Sequence, residues 1–396
     1  MKRSLIAILS TIFISTSVWA QNFPPNFGID SKDFEKKVIE QIPQKVIRSY
    51  PEAPLLELGV TWIGSRMILK RKYDEALKLL NTFAERKPQS LIAPLGIMFL
   101  WHVRMVENWD FRYAKNFNEA EKNSERILNL YYGQNMTNRW HNLIIGGVLG
   151  MRGLWSARYR KYFRAASFGW DAMIYMKKVS ENRPNLPPIF DALYGTGMYH
   201  YWTTWASQKS LLLFFFPDRR KLGLSELAEC AKKAPISSPL AKFSLAYLYG
   251  HEGNYEKALQ WIYPVFNDNP NSIIVGTLLA RLLIAAGQVE KGIEILESLY
   301  IQEPTYQFIG FHLARALYLA NQDPDRVIDL IEAFLTEENV LRQESYISIA
   351  SFYIAEIFAS KQDWGKSKKY LVNVNKIFLT KEEQKRFKNL KEAMKK

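Results

Sequence analysis

Cysteine is almost absent from this sequence, because only Cys230 among 396 residues carries a thiol. A single thiol cannot form a disulfide within the chain or build a thiolate zinc site. The five histidines are scattered, and none begins the His-Glu-x-x-His pattern that places two metal ligands on one helix face. No Gly-x-Ser-x-Gly nucleophile motif is present either. We therefore expect no metal, no cofactor and no enzymatic activity.

A long hydrophobic run is also missing, and the apolar stretch at the N terminus is short. Lys2 and Arg3 precede this stretch, which ends in the small residues Val18 and Ala20. Such a pattern is typical of a secretory signal peptide. The apolar core is too short for a membrane-spanning helix, which needs roughly 20 apolar residues. We expect residues 1–20 to be removed on export; the alternative is an uncleaved N-terminal anchor.

Acidic residues are too few to balance the basic ones. The chain has 53 Lys and Arg against 39 Asp and Glu, which gives a net charge of +14. A basic surface attracts anionic partners such as lipids, glycans or acidic proteins. We expect an exported protein, periplasmic or envelope-associated and soluble after cleavage, and export argues against nucleic acid as a partner. The alternative is a basic surface without a specific partner.

What the sequence does contain is an internal repeat. Ala246, Ala280 and Ala314 are spaced by 34 residues, and so are Pro270 and Pro304. Between them, apolar residues recur at three- and four-residue spacing, as packed helices require. The pattern resembles the tetratricopeptide repeat (TPR), a pair of antiparallel helices. The resemblance implies an all-α fold, a right-handed α-solenoid of antiparallel helix pairs with longer, diverged helical hairpins in the middle.

Several positions of the repeat have a physical role in such a pair. The small side chains of Ala246 and Ala258 allow two helices to approach closely. Gly253 can adopt the left-handed conformation that ends the first helix, and Pro270 prevents the second helix from continuing. The same register near the N terminus has Arg71 where glycine is usual. The first helix of that pair therefore ends without the usual glycine.

The repeat register divides the chain into five segments. They are a signal peptide (1–20), a Pro-rich lead-in with a short helix near 31–42 (21–54), diverged TPR-like hairpins (55–238), TPR repeats (239–380) and a C-terminal capping helix (381–396). The capping helix begins at Thr380 with Glu383 three residues later, which is a capping box. For the diverged hairpins we predict helices over 91–108 and 117–131, over 139–158 and 162–181, and over 188–208 and 219–233.

A more local resemblance lies in the middle of the chain. The segment Asp191-Ala192-Leu193-Tyr194-Gly195-Thr196-Gly197-Met198-Tyr199-His200-Tyr201 is similar to one found in exported bacterial TPR proteins of unassigned activity. The resemblance implies export and a repeat fold, but no reaction. An enzyme whose site combines Asp191, His200 and Tyr201 stays open as an alternative, because acid–base catalysis depends on geometry that a sequence does not give.

Aromatic and basic residues are interleaved in two stretches of the middle region. Arginine can pair with carboxylate or phosphate groups and can stack on aromatic rings. If the two stretches form adjacent helices, they line a concave groove for a protein, a peptide or an anionic lipid or glycan. The alternative is an aromatic core with a solvated basic face. The candidate residues are Arg152, Arg158, Arg160, Arg164, Tyr194, Tyr199, His200, Tyr201, Trp202 and Trp205.

Glycines are concentrated in the predicted helix over 139–158. Gly146, Gly150 and Gly153 fall on one face of that helix. Similar spacings occur where helices dimerise in membranes, but Arg152 interrupts this stretch and its apolar run is short. We therefore predict close packing between two helices of a soluble protein.

The most apolar run after the N-terminal segment is Leu211-Leu212-Leu213-Phe214-Phe215-Phe216. Six residues cannot span a bilayer. The run is either a buried connection or a loop that docks on a membrane or a partner. The leading hypothesis is a TPR-like binding protein whose partner is a protein or peptide. The alternative is a peripheral membrane protein that docks through the Leu211–Phe216 loop and its basic surface, and the sequence leaves the oligomeric state open.

Overall fold

The chain folds into α-helices. The computed structural model describes residues 33–131, 137–180, 185–209, 217–336 and 344–394, and of residues 205–209 only the backbone. Over these ranges the chain forms 19 α-helices and one short 3₁₀-helix, without a β-strand. The predicted all-α fold is therefore confirmed. None of the helices within these ranges is both long and apolar enough to cross a membrane.

The helix bounds, in chain order, are as follows. The first ten helices are α1 (Phe34–Glu40), α2 (Gln44–Ser49), α3 (Leu55–Leu69), α4 (Tyr73–Arg86), α5 (Ile92–Glu107), α6 (Ala114–Tyr131), α7 (Arg139–Arg158), α8 (Tyr162–Ser180), α9 (Ala192–Lys209) and α10 (Arg220–Lys233). The others are α11 (Ser238–His251), α12 (Tyr255–Asp268), α13 (Ile273–Ala285), α14 (Val289–Gln302), α15 (Gln307–Leu319), α16 (Pro324–Thr336), α17 (Glu344–Ser360), α18 (Trp364–Leu371) and α19 (Lys381–Ala393). The 3₁₀-helix covers Lys376–Phe378.

Consecutive helices pack against each other in pairs. Contacts join α3 to α4, α7 to α8, α9 to α10, α11 to α12, α15 to α16 and α17 to α18. Most of these pairs are connected by only a few residues, so the chain reverses and the two helices run antiparallel. Two of the three hairpins predicted for the middle region are observed, α7 with α8 and α9 with α10, and α7 and α8 lie close to the expected 139–158 and 162–181. The TPR-like architecture predicted from the 34-residue repeat is therefore present.

The turn between the two helices of a pair uses a left-handed residue. Gly253 and Gly287 have φ angles of +78° and +81° after α11 and α13. Arg71, Asn321 and Gln362 occupy the corresponding positions of other pairs with φ angles of 59°, 54° and 61°. A non-glycine residue in this conformation is strained by roughly 1–2 kcal/mol, least for asparagine. Packing of the two helices must therefore offset this strain where glycine is absent.

The chain divides into two compact units. The first contains the described residues of 33–106 and 113–275, and the second contains 107–112 and 276–394. In the first unit the largest fully buried side chains include Trp140, Phe117 and Tyr201. In the second unit, the ring centroids of Phe311 and Phe334 are 4.7 Å apart. Each unit therefore has an aromatic core of its own.

The C-terminal helix starts as the sequence predicts. The side chain of Thr380 accepts a hydrogen bond from the backbone N–H of Glu383, and the Glu383 carboxylate accepts one from the backbone N–H of Thr380. This reciprocal pair is a capping box and satisfies two backbone donors at the start of α19. The hydroxyl of Tyr353 also donates to Glu383 at 2.7 Å, which fixes α19 against α17.

Candidate functional site

The first unit contains an apolar cavity of about 450 Å³. Its walls come from α3, α5, α7, α8 and α9, with the start of α11. Along each first helix the lining residues recur at three- and four-residue spacing, as with Val60, Gly64 and Ile68 on α3. One face of each of these helices is therefore turned to the cavity.

Glycines make up an unusual share of the lining. They leave space where a side chain would otherwise project into the cavity. The lining glycines are Gly64, Gly96, Gly146, Gly147, Gly150, Gly153, Gly169 and Gly195. Gly inside a helix costs roughly 1 kcal/mol relative to Ala. Eight such positions around one cavity therefore require a compensating role.

The lining glycines have two different roles. The distance from an added Cβ atom to its nearest neighbours distinguishes them. At Gly146 it would lie 2.8 Å from Met176 Cε and 3.3 Å from a backbone oxygen of α8, and at Gly153 it would lie 3.3 Å from the carbonyl of Ala165. These two glycines bring α7 close to α8, as predicted. At Gly64 and Gly169 the nearest atoms would be 3.8 and 4.0 Å away. There a side chain would fit, and glycine leaves the space open.

The remaining wall is mainly apolar, and its polar side-chain groups are hydroxyls, two tryptophan N–H groups and one carboxylate. Apolar contacts come from Leu, Ile, Val, Met, Phe and Trp side chains such as Phe99, Met173 and Trp202. None of the lining residues is Lys, Arg, Glu, Asn or Gln. The polar lining residues are Thr61, Ser65, Tyr162, Asp191, Tyr194, Tyr199, Thr203 and Ser237. The cavity therefore suits a ligand that has little need of polar partners.

The one lining carboxylate, Asp191, is already bound by the protein. Tyr50 donates its hydroxyl to one carboxylate oxygen, and the backbone N–H groups of Ile236 and Ser237 donate to the other. Burial raises the pKa of Asp191 above its ordinary value, although these hydrogen bonds oppose the shift. Because Asp191 precedes α9 and Ser237 precedes α11, the carboxylate joins the starts of two first helices.

Glu57 likewise joins the starts of three helices, α3, α5 and α7. Its carboxylate accepts a hydrogen bond from Trp140 Nε1 at 2.8 Å and from Ser90 Oγ at 2.6 Å. Glu57 lies in the first turn of α3, Ser90 precedes α5 and Trp140 lies in the first turn of α7. A carboxylate among helix N termini also faces the positive ends of their dipoles. Glu57 and Asp191 therefore fix one end of the cavity wall.

The predicted aromatic residues separate into two groups. Tyr194, Tyr199 and Trp202 line the cavity. His200 instead pairs its Nδ1 with Glu226 at 2.7 Å, and Tyr201 donates its hydroxyl to Glu252 at 3.0 Å. The trio Asp191, His200 and Tyr201 thus has three different sets of partners.

The predicted arginines do not line the cavity. Arg152 is buried and pairs with Glu121 at 3.2 Å and Glu125 at 2.6 Å. Arg158 is buried with its guanidinium over the Trp155 ring, at 5.8 Å from the centroid. Arg160 is exposed at the left-handed turn after α7, and half-exposed Arg164 lies 3.5 Å from Glu121. The structure therefore brings the aromatic candidates to the cavity and places the arginines elsewhere.

Two predicted features lie outside the described part of the chain. The side chain of Trp205 is one, and the apolar run Leu211–Phe216 is the other. Both stay predictions.

Comparison with known proteins gives matches at low identity. A monomeric mutant of IFIT1 with Gppp-AAAA matches 81% of this chain and 71% of its own at 12% identity and a TM-score of 0.49. The TPR domain of P58(IPK) matches 86% and 99% at 12% identity and a TM-score of 0.26. Yeast Tom70 matches 86% and 88% at 12% identity and a TM-score of 0.31.

No family model and no curated protein matches the sequence. The resemblance to TPR proteins is carried by the 34-residue register, the buried alanines Ala246 and Ala258, and the left-handed turn at Gly253. In its described residues the chain is thus an all-helical protein built from TPR-like helix pairs, and its first unit contains an apolar cavity.

Proposed function

We propose that this chain is an exported helical-repeat scaffold that holds an apolar ligand in the cavity of its first unit. The observation that carries the proposal is a cavity of about 450 Å³ whose lining has no Lys, Arg, Glu, Asn or Gln. Cavities of this size are typical of sites for small molecules or for an apolar part of a larger ligand. The role is binding, without a chemical step.

Export is the second part of the proposal. The basic and then apolar start of the sequence supports it, because that order of residues is typical of a secretory signal. The buried single thiol of Cys230 is compatible with an oxidising compartment. The cellular location we propose is the periplasm or the surface of the envelope.

The chemistry of the wall narrows the ligand. An extended peptide carries a backbone donor and acceptor at almost every residue, and each one left unpaired costs about 1–3 kcal/mol. The lining side chains offer only hydroxyls, the indole N–H groups of Trp140 and Trp202, and a carboxylate that is already bound. A glycan meets the same difficulty. We therefore propose a ligand that has no such groups, or pairs them internally, which means an acyl chain or an apolar helix of a partner protein.

Nucleic acid is not part of the proposal. The IFIT1 structure holds Gppp-AAAA, but binding of phosphates depends on Lys and Arg, and neither type lines this cavity. A 5′-triphosphorylated oligonucleotide is therefore expected not to displace an apolar probe.

Titration with a fluorescent acyl-chain probe tests the proposal. Gly64→Leu and Gly169→Leu would place a side chain in the cavity at two positions where a Cβ atom has room. We expect the wild type to bind the probe and each variant to bind at least about tenfold more weakly, a loss of roughly 1.4 kcal/mol. Long-chain fatty acids and an apolar helical peptide then compete for the probe, and their ranking identifies the ligand class.

Gly365→Leu is the matched control. Gly365 is exposed at the start of α18 in the second unit, and a Cβ atom there would lie 3.7 Å from Asp363 Oδ1. This variant should bind the probe as the wild type does. No binding by the wild type, or equal binding by all four proteins, would contradict the proposal.

A further inference from the structure

The outer face of α8 is apolar where a soluble helix is normally polar. Phe163 is 96% exposed, Trp170 58% and Ile174 40%. Their spacing of seven and four residues puts the three side chains on one face of the helix. Tyr159, 43% exposed, adds a fourth at the turn before α8. This set of residues, here called the α8 face, is a continuous exposed stripe of the first unit.

The second helices of two other pairs show what such a face normally carries. The exposed residues of α14 include Glu290, Lys291 and Glu294, and those of α16 include Asp329 and Glu332. Charged residues on the solvent side are expected of a surface helix. The large apolar residues of the α8 face therefore need a partner that removes them from water.

The charge around the α8 face is strongly basic. From Arg158 to Lys178 the sequence has six Lys or Arg and a single carboxylate, Asp171. Arg158 is buried and Arg164 lies 3.5 Å from Glu121, which leaves Arg160, Lys161, Lys177 and Lys178. Arg160 and Lys161 are exposed at the turn, and Lys177 is exposed near the other end of the helix. Neighbouring α6 contributes Glu121 and Glu125, and both pair with buried Arg152. The free charge next to the apolar stripe is therefore positive.

We propose that the α8 face docks on the surface of an anionic lipid bilayer. Aromatic residues such as Trp and Tyr are favoured at the boundary between headgroups and acyl chains, with an apolar body and a polar tip. Lys and Arg at the same level are attracted to anionic headgroups by about 1 kcal/mol each. The combination of exposed Phe163, Trp170 and Ile174 with flanking cations matches this surface in both hydrophobicity and charge.

The position of the cavity agrees with a lipid surface. Tyr162, Ala165, Ala166 and Gly169 of the same helix line the cavity, and Ala166 is exposed. The helix α8 therefore carries the exposed apolar stripe on one face and part of the cavity wall on another. Docking of the α8 face does not depend on the proposed ligand of the cavity, and the variants that test docking leave the cavity glycines unchanged.

Vesicle flotation tests the proposal with variants of the α8 face. The vesicles contain phosphatidylcholine alone or with about one third phosphatidylglycerol, at low and high salt. We expect the wild type to float with the anionic vesicles at low salt, and to be released at high salt. Phe163→Ser/Trp170→Ser should reduce flotation by at least about tenfold, and Arg160→Glu/Lys161→Glu should reduce it on anionic vesicles.

The control changes two exposed apolar residues elsewhere. Ile301→Ser/Val372→Ser removes side chains that are 78% and 82% exposed in the second unit, and it should float as the wild type does. All proteins carry the same N-terminal segment, so its contribution is common to them. Circular dichroism verifies that each variant keeps its helices.

A second measurement locates the contact. Trp170→Phe keeps an aromatic ring and should still float, but it should lose part of the tryptophan quenching produced by brominated lipids. Soluble glycerol phosphate should not compete, since it lacks the bilayer. The proposal is overturned if the wild type does not float, if Phe163→Ser/Trp170→Ser floats equally well, or if glycerol phosphate alone releases the protein.

Discussion

Glycine has different tasks in two regions of this chain. In the regular repeats, residues 238–302, Gly253 and Gly287 lie at turns with positive φ, and a Cβ atom there would meet nothing within 4 Å. In the middle region, residues 139–233, Gly197 and Gly223 lie inside helices instead. A Cβ atom on Gly197 would lie 2.8 Å from the carbonyl oxygen of Gly223. The first task is conformational and the second is steric. Gly292 of the regular repeats shares the second task, because its Cβ atom would lie 3.1 Å from the carbonyl oxygen of Ala280.

The difference explains how one repeat pattern produces both a packed array and a cavity. Turn glycines allow each helix pair to form with little strain, and the pairs then pack through small residues such as Ala246. Glycines inside helices bring some backbones together and leave space beside others, as at Gly64. The middle region gives up some helix stability at these positions. The same region contains the apolar cavity.

The largest effect is expected at the contact between α9 and α10. In Gly223→Ala the new methyl group would lie 2.5 Å from the carbonyl oxygen of Gly197 and 2.9 Å from the backbone nitrogen of Tyr201. Backbone atoms cannot move aside as a side chain does, so the helices must separate. We expect the free energy of unfolding to fall by about 3 kcal/mol, measured by urea denaturation.

Gly365→Ala is the control for this substitution. Gly365 is exposed at the start of α18, and the atom nearest to a new methyl group is 3.7 Å away. Alanine should leave stability unchanged or raise it by up to about 1 kcal/mol. If both variants unfold at the same urea concentration as the wild type, the steric role of the middle-region glycines is wrong.

An intermediate effect concerns a feature common to both compact units, a buried histidine beside arginine. Burial, and next the charge of Arg158, lower the pKa of His102 well below its ordinary value. Burial and the charges of Arg281 and Arg315 do the same for His312. Both ring nitrogens of His102 are buried without a hydrogen-bond partner among the described residues. Both histidines are therefore neutral in the folded protein.

Acid should consequently destabilise both units. Each histidine binds a proton in the unfolded chain below about pH 6.5, while the folded protein resists protonation. Stability that is complete above this pH is then lost as the pH falls, by at most about 1.4 kcal/mol per pH unit for each histidine. Urea denaturation between about pH 7.5 and 5.5 measures the slope.

Replacing the histidines isolates their contribution from that of the carboxylates. His102→Phe and His312→Phe should each flatten the slope, and the double variant should flatten it most. The slopes of the two single variants also show whether the first and the second compact unit respond separately to acid. An unchanged slope in the double variant would mean that these histidines are not the acid-sensitive groups.

The smallest effect is expected at the turns. Gln362 has a φ angle of 61° where the regular repeats have glycine, so Gln362→Gly should raise the free energy of unfolding by about 1 kcal/mol. Gly287→Ala introduces a non-glycine residue at a positive φ angle and should lower the free energy of unfolding by about 1 kcal/mol. Thermal unfolding measures both. Changes of the same sign in the two variants would contradict the conformational role of the turn glycine.

The sequence predicted the helix pairs because their signals are local. Ala246, Ala280 and Ala314 repeat at a fixed spacing, and packing of paired helices depends on residues within one repeat. The bounds of α7 and α8 followed from the same periodicity. The capping box at Thr380 and Glu383 was also predicted, since both of its members lie within one helical turn.

The cavity was not predicted, because its determinants are far apart in sequence. Trp140 and Glu57, which join three helix starts, are 83 residues apart, and Tyr50 and Asp191 are 141 residues apart. The middle-region glycines were visible in the sequence, but whether a glycine contacts a backbone or leaves space depends on the neighbouring helix. The burial of Arg152 could not be predicted for the same reason, because its partners Glu121 and Glu125 lie on another helix.

A crystal structure of the protein under xenon pressure tests most directly whether glycines keep an apolar space open inside the first unit. Xenon enters apolar cavities, and its anomalous scattering identifies its position. The prediction is bound xenon between α3, α7 and α8, next to Gly64 and Gly169, and its loss in Gly64→Leu. Side chains that fill this space, or the absence of xenon from it in the wild type, would contradict the central claim.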